Sequence, residues 1–157
     1  MSMFLSKRRT RFIAGRRPLS DEEFVNRLGA ALPESKYVLA VRNVIAAACG
    51  VDHELIYNSD NTWALNDILE FDIAGGWDYV VFTIFLEEEL KMPISEKLRF
   101  QSFTGKRCFV WLERPPKDFG TWALEVARTL ADFNENQGES LQSRLRDNES
   151  DYPGYGI

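Results

Sequence analysis

The chain has 157 residues and is 45% hydrophobic and 13% aromatic, enough apolar mass for one cored domain, which excludes a wholly disordered chain. No apolar run approaches the ~18 residues that span a bilayer, so a soluble, cytoplasmic protein is expected. The net charge of −5 hides a division: Lys7, Arg8, Arg9, Arg11, Arg16 and Arg17 crowd the first 17 residues with no acid among them, leaving −11 on the rest.

Residues 1–19 read as a basic, flexible arm ahead of the domain. No apolar stretch follows the charges, so the arm is not a secretory signal. Its functional reading is contact with nucleic acid or an anionic surface. The lack of interleaved aromatics or of a reading helix favours a solvated tail, or one folded back on the chain's own acidic body.

The first ordered element is expected at "SDEEFVNRL". Ser20 can cap a helix and Glu23 can reach back to it, a capping box. Phe24, Leu28 and Leu32 fall four apart on one face. Pro33 suits the first turn of a second helix over 34–49, where Val38, Val41, Ile45 and Ala48 are spaced 3, 4, 3 and Gly50 supplies the stop. A long connection over 51–76 contains a helical piece near Trp63–Leu69, capped by Asp60 or Asn61.

Residues 77–90 are ambiguous. "DYVVFTIFL" is β-branched and aromatic and reads as strand; "LEEELK" reads as helix. Periodicity does not arbitrate, because the middle is apolar all round. Residues 98–112 read as a short β-hairpin about Thr104-Gly105. A last helix follows "RPPKDFG", capped by Thr121, with Leu124, Ala127 and Leu130 three apart. The domain then closes near residue 133, and 134–157 is expected to be a disordered polar tail.

Two stretches, "VIAAACGVDHELI" (44–56) and "FLEEELKMPI" (85–94), resemble the acyl carrier proteins. The first is similar to that family's first helix and its exit. The second is similar to the end of its second helix, where the isoleucine packs inward. The resemblance covers about a third of the chain and implies a mainly α fold: a carrier-like four-helix core over 36–131, an extra N-terminal helix, and the 98–112 hairpin as an insertion. It also implies that 77–90 is helix two.

The family's Asp-Ser-Leu motif opens that helix, and its serine bears the phosphopantetheine arm. Here the triplet is Gly75-Gly76-Trp77, followed by Asp78. Gly76 stands at the serine position and has no hydroxyl to esterify, so no prosthetic cofactor is expected there. A working carrier with a displaced attachment residue is the alternative. The family's acidic helix-two face is replaced by Val81 and its apolar neighbours, with Asp78 and Glu87–Glu89 remaining. Such a face has to be covered by another segment or by a partner.

Little else carries chemistry. His53 is the one histidine and reads as a solvated turn residue rather than a base or ligand. Asp52, Glu54 and Asp60 lack a metal-binding loop spacing. Phosphate-cradle and nucleophile-elbow motifs are missing. Cys49 and Cys108 read as reduced, buried small hydrophobes. Trp63, Trp77, Trp111 and Trp122 read mostly as core, with Trp77 the candidate anchor. The expectation is a non-catalytic, carrier-like module that binds a protein partner through Trp77, Asp78, Val81 and Glu88. Nucleic-acid or anionic-surface binding through the arm is the second reading, and an enzyme the last.

Overall fold

A computed structural model describes residues 3–69, 79–94 and 118–149. Every regular element among them is helical: α1 (Met3–Ile13), α2 (Asp21–Leu28), α3 (Leu32–Cys49), a 3₁₀ turn (His53–Leu55), α4 (Thr62–Asn66), α5 (Tyr79–Leu90) and α6 (Phe119–Glu149). The mainly helical reading therefore holds for these residues. The 98–112 hairpin, Cys108 and Trp111 lie outside them.

Helix α3 is the axis. It buries Val38, Val41, Ile45 and Cys49 on one line and Val44 and Ala48 beside it, so it is enclosed on most of its circumference. Helix α6 lies against it with Trp122, Ala123, Val126, Ala127 and Leu130 buried at helical spacing. Helix α5 packs on another side of α3 through Phe82, Leu86 and Leu90. Aromatic rings link the layers: Phe82 to Trp122 at 5.7 Å, Trp122 to Phe119 at 5.9 Å, and Phe119 to Phe24 of α2 at 6.1 Å between centroids.

Local signals explain most helix ends. Ser20 Oγ accepts from the Glu23 N–H, and Asn61 Oδ1 accepts from the Trp63 N–H. Pro33 sits in the first turn of α3, and Gly50 closes that helix at φ 63°. Glu23 itself pairs with Arg27 one turn on, rather than completing a box with Ser20.

Four further expectations are corrected. The arm is not a free tail: 3–13 form α1, because Lys, Arg, Leu and Met are good helix formers. Leu5, Arg9, Phe12 and Ile13 are half-buried on one side of that helix, and Leu19 is fully in the core. Leu32 does not extend the Phe24–Leu28 face. Gly29 turns the chain with φ 65°, and Leu32 is 90% exposed. Helix α6 begins at Phe119, and its cap is Asp118, whose Oδ1 accepts from the Thr121 N–H at 2.8 Å. Finally, 134–149 continue α6 as helix. Asn134 belongs to the body, since its amide donates to the Tyr37 hydroxyl and reaches Met92 Sδ.

Two buried charges stitch these parts together. Arg42 is wholly buried. It donates to Asp21 Oδ1 at 2.8 Å, to the Leu19 carbonyl at 2.8 Å and to the Ile56 carbonyl at 3.0 Å, and it lies 4.3 Å over the Phe24 ring. Burial pulls its pKa below the ordinary arginine value, and the Asp21 carboxylate pulls it back up. Arg16 and Asp60 form the second node. The chain around Asp60 also clamps the start of α6, as the Phe119 N–H donates to the Asp60 carbonyl at 2.7 Å and Asn61 bridges Asp118.

Candidate functional site

Helix α5 begins apolar and ends acidic. Phe82, Thr83, Leu86 and Leu90 face inward, whereas Ile84 is 43% exposed and Phe85 half-buried. The last turn carries Glu87, Glu88 and Glu89. Three carboxylates at a helix C-terminus oppose the macrodipole, at a cost of roughly 0.3–1 kcal/mol for each exposed charge. Two of them are recruited locally. Glu87 Oε1 accepts from the Ile94 N–H at 2.8 Å, and Glu89 Oε1 accepts from the Asn43 amide at 2.7 Å. Glu88 is exposed and makes no hydrogen bond or ion pair among the described residues.

The helix stops at Lys91, a non-glycine residue at φ 54°. The Met92 N–H returns to the Glu87 carbonyl at 3.3 Å, the long bond of a Schellman turn. This turn carries Ile94 back into the core, where it is 3% exposed.

A groove of about 400 Å³ runs between α3 and α5. Its floor is Val44, Ala47 and Ala48 of α3 and Phe85 of α5; its rim is Glu88, Glu89, Asn43 and Lys91. The groove exists because α3 presents the run Ala46–Ala48 here, and methyl groups do not fill the space beside a phenylalanine. Across Glu88 and Lys91, Ile84, Met92 and Pro93 line a second, shallower hollow of about 420 Å³. The two hollows share Glu88 and Lys91, so apolar walls adjoin an edge that carries the carboxylates of Glu88 and Glu89 and one cation, Lys91.

Of the residues predicted from sequence, Glu88 stands on this rim and Val81 lies on α5. Gly76, Trp77 and Asp78 are outside the described residues. Sequence reasoning missed the α3 wall; the alanine run was the available signal. The basic residues sit elsewhere, on α1 and after it. Arg16 is half-buried in its pair with Asp60, and Arg9 presses against Gly50, its guanidinium carbon 2.7 Å from where a Cβ on Gly50 would stand. Lys7, Arg8, Arg11 and Arg17 are exposed.

The other candidates stay apart from the groove. His53 lies on the 3₁₀ turn, with Nδ1 3.3 Å from Asp52 and Nε2 3.5 Å from Asp21. Cys49 is buried and points at the Leu65 carbonyl. Trp122 is core, and Trp63 is 36% exposed. Among the described residues, no three His, Cys, Asp or Glu side chains gather closely enough to hold a metal ion, and no helix is long and apolar enough to cross a membrane. Compared with protein-family models, curated proteins and solved structures, the chain matches none.

Proposed function

We propose that the chain is a non-catalytic interaction module whose α3–α5 groove receives an apolar protein segment flanked by basic side chains. The observation that carries this reading is the end of α5. Exposed Ile84 and half-buried Phe85 line two adjoining hollows that share the exposed carboxylate of Glu88, on a helix whose acids oppose its own dipole. Glu87 and Glu89 are offset by their bonds to the Ile94 N–H and the Asn43 amide, whereas Glu88 opposes the dipole with no partner among the described residues, which marks its surface as one kept for something outside the fold. Cations seated along Glu88 and Glu89 would relieve the opposition, and an apolar side chain would cover Phe85 and Ala47.

A carrier-like ancestry is part of the proposal. It is supported by helix α5 running through "FLEEEL" and by the burial of Ile94 after it. Gly76 offers no oxygen for a phosphodiester, so the module works without a prosthetic arm.

Two measurements test the reading. A helical Leu/Lys peptide with leucines at i, i+3, i+4 and i+7 is titrated by fluorescence anisotropy against the wild type and against Ile84→Asp and Glu88→Lys. The expected result is binding to the wild type and at least about tenfold weaker binding to each variant, a loss of ~1.4 kcal/mol or more. Equal binding to all three refutes the groove. Intact mass after incubation with coenzyme A and a phosphopantetheinyl transferase is expected to be unchanged; a gain of one arm would refute the non-carrier assignment.

A further inference from the structure

We propose that the segment seated in this groove is the outward face of helix α1 of a second copy of the chain, each copy keeping its own α1 and presenting it to the other's groove across a two-fold axis. The proposal rests on the groove reading above and names its occupant. The first observation is the outward face of α1. With Leu5, Arg9 and Phe12 turned to the body, the opposite side presents Met3, Lys7 and Arg11 at i, i+4 and i+8, and Met3 is 68% exposed. An apolar tip followed by two cations one turn apart matches a groove of Ala47, Val44 and Phe85 whose rim carries two carboxylates, Glu88 and Glu89, against one cation, Lys91.

The second observation is adjacency. Arg9 of α1 presses on Gly50, and the Gly50 N–H donates to the carbonyl of Ala47, which lines the groove. Helix α1 thus stands beside the Ala47 end of the groove, with Glu89 held at Asn43, about two helical turns back along α3 from Gly50. Neighbouring patches of opposite sign are self-complementary under a two-fold rotation, because each copy's cations then meet the other's acids. The chain cannot satisfy itself this way. The Arg16–Asp60 pair and the Arg9–Gly50 contact fix α1 on its own body, with its cationic face turned outward. A polyanion is disfavoured as occupant of this face by the glutamates beside it and by the −11 carried after residue 17.

The test is sedimentation velocity on the full chain in about 50 mM and about 500 mM salt, where exposed charges are screened over roughly 14 Å and 4 Å. Two charge-reversed chains are run alone and mixed: Lys7→Glu/Arg11→Glu and Glu88→Lys/Glu89→Lys. Circular dichroism confirms that each keeps its helix content. The wild type is expected to dimerise at low salt and to dissociate at least about tenfold more readily at high salt. Each reversed chain is expected to be monomeric, and their equimolar mixture to regain the dimer, since every contact across the axis is then again one of opposite charge.

A wild type that stays monomeric at both salts, reversed chains that dimerise alone, a mixture that remains monomeric, or growth beyond the dimer would overturn the proposal. A monomeric wild type that still binds the Leu/Lys peptide at the groove would remove the second copy and leave the groove standing. Loss of both would remove the groove as well.

Discussion

Arg16 and Asp60, 44 residues apart, meet through two parallel hydrogen bonds of 2.8 and 2.7 Å, with Asp60 only 7% exposed. The same guanidinium donates to the carbonyls of Phe12 and Leu55 and stacks 3.8 Å over the Phe12 ring. Asp60 also accepts from the Tyr57 N–H at 2.7 Å. This pair turns a basic leader into part of the body. Asp60→Asn keeps the volume but leaves a half-buried guanidinium short of its counter-charge. We expect a loss of about 2–3 kcal/mol in urea unfolding, and a smaller loss for Arg16→Lys, which keeps the charge but cannot form the fork. A loss below ~0.5 kcal/mol for Asp60→Asn would show that the pair contributes little.

Arg42 reaches four acceptor contacts from a wholly buried position. Arg42→Ala strands the Leu19 and Ile56 carbonyls and opens a cavity beside Phe24, so a loss of about 3–5 kcal/mol is expected. Its pKa is lowered by burial, so the folded chain gains from its deprotonation only when pH climbs past the folded value. Below that, the guanidinium is charged in both states. The gap between wild type and Arg42→Ala should therefore stay flat between about pH 7.5 and 9.5 in thermal melts.

Lys91 ends α5 in the left-handed region at φ 54°. A side chain there costs roughly 1–2 kcal/mol in backbone sterics, part of which glycine returns as unfolded-state entropy. Lys91→Gly should raise stability by about 0.5–1 kcal/mol, and Lys91→Val should lower it. The ordering of the three melting temperatures is the readout.

Asp118 caps α6 through the Thr121 N–H, while the exposed Thr121 was the residue the sequence pattern favoured. Asp118→Ala should cost about 1 kcal/mol, and Thr121→Ala no more than ~0.5 kcal/mol. Chemical denaturation of the two variants separates them; the reverse ranking would reinstate the threonine.

Gly50 takes φ 63° with the Arg9 side chain against it. Gly50→Ala adds the left-handed strain and drives a methyl into the guanidinium. We expect a loss of about 2 kcal/mol together with release of α1, seen as faster proteolysis after the arginines of residues 7–11.

The helices of this protein were legible wherever a periodic apolar face met a capping residue. The spacing of Val38, Val41, Ile45 and Ala48, stopped by Gly50, dictates α3, and Asn61 dictates the start of α4, because those signals act within one or two turns. Composition likewise placed the acids of α5. Tertiary contact decided the rest. "YVVFTIFL" carries β-favouring residues yet is helical, since Phe82, Leu86 and Leu90 gain more from burial against the core than local preference withholds. Charge count allowed the basic arm to be solvated or to fold back on the acidic body, and only the fold reveals Asp60 as the buried partner of Arg16. Glu88 was named from sequence as a surface residue, but the groove it borders needed Val44 and Ala47 from a helix forty residues earlier. A pattern read along one chain records which face is apolar; which second face meets it, and where small side chains leave a gap, is settled only by packing.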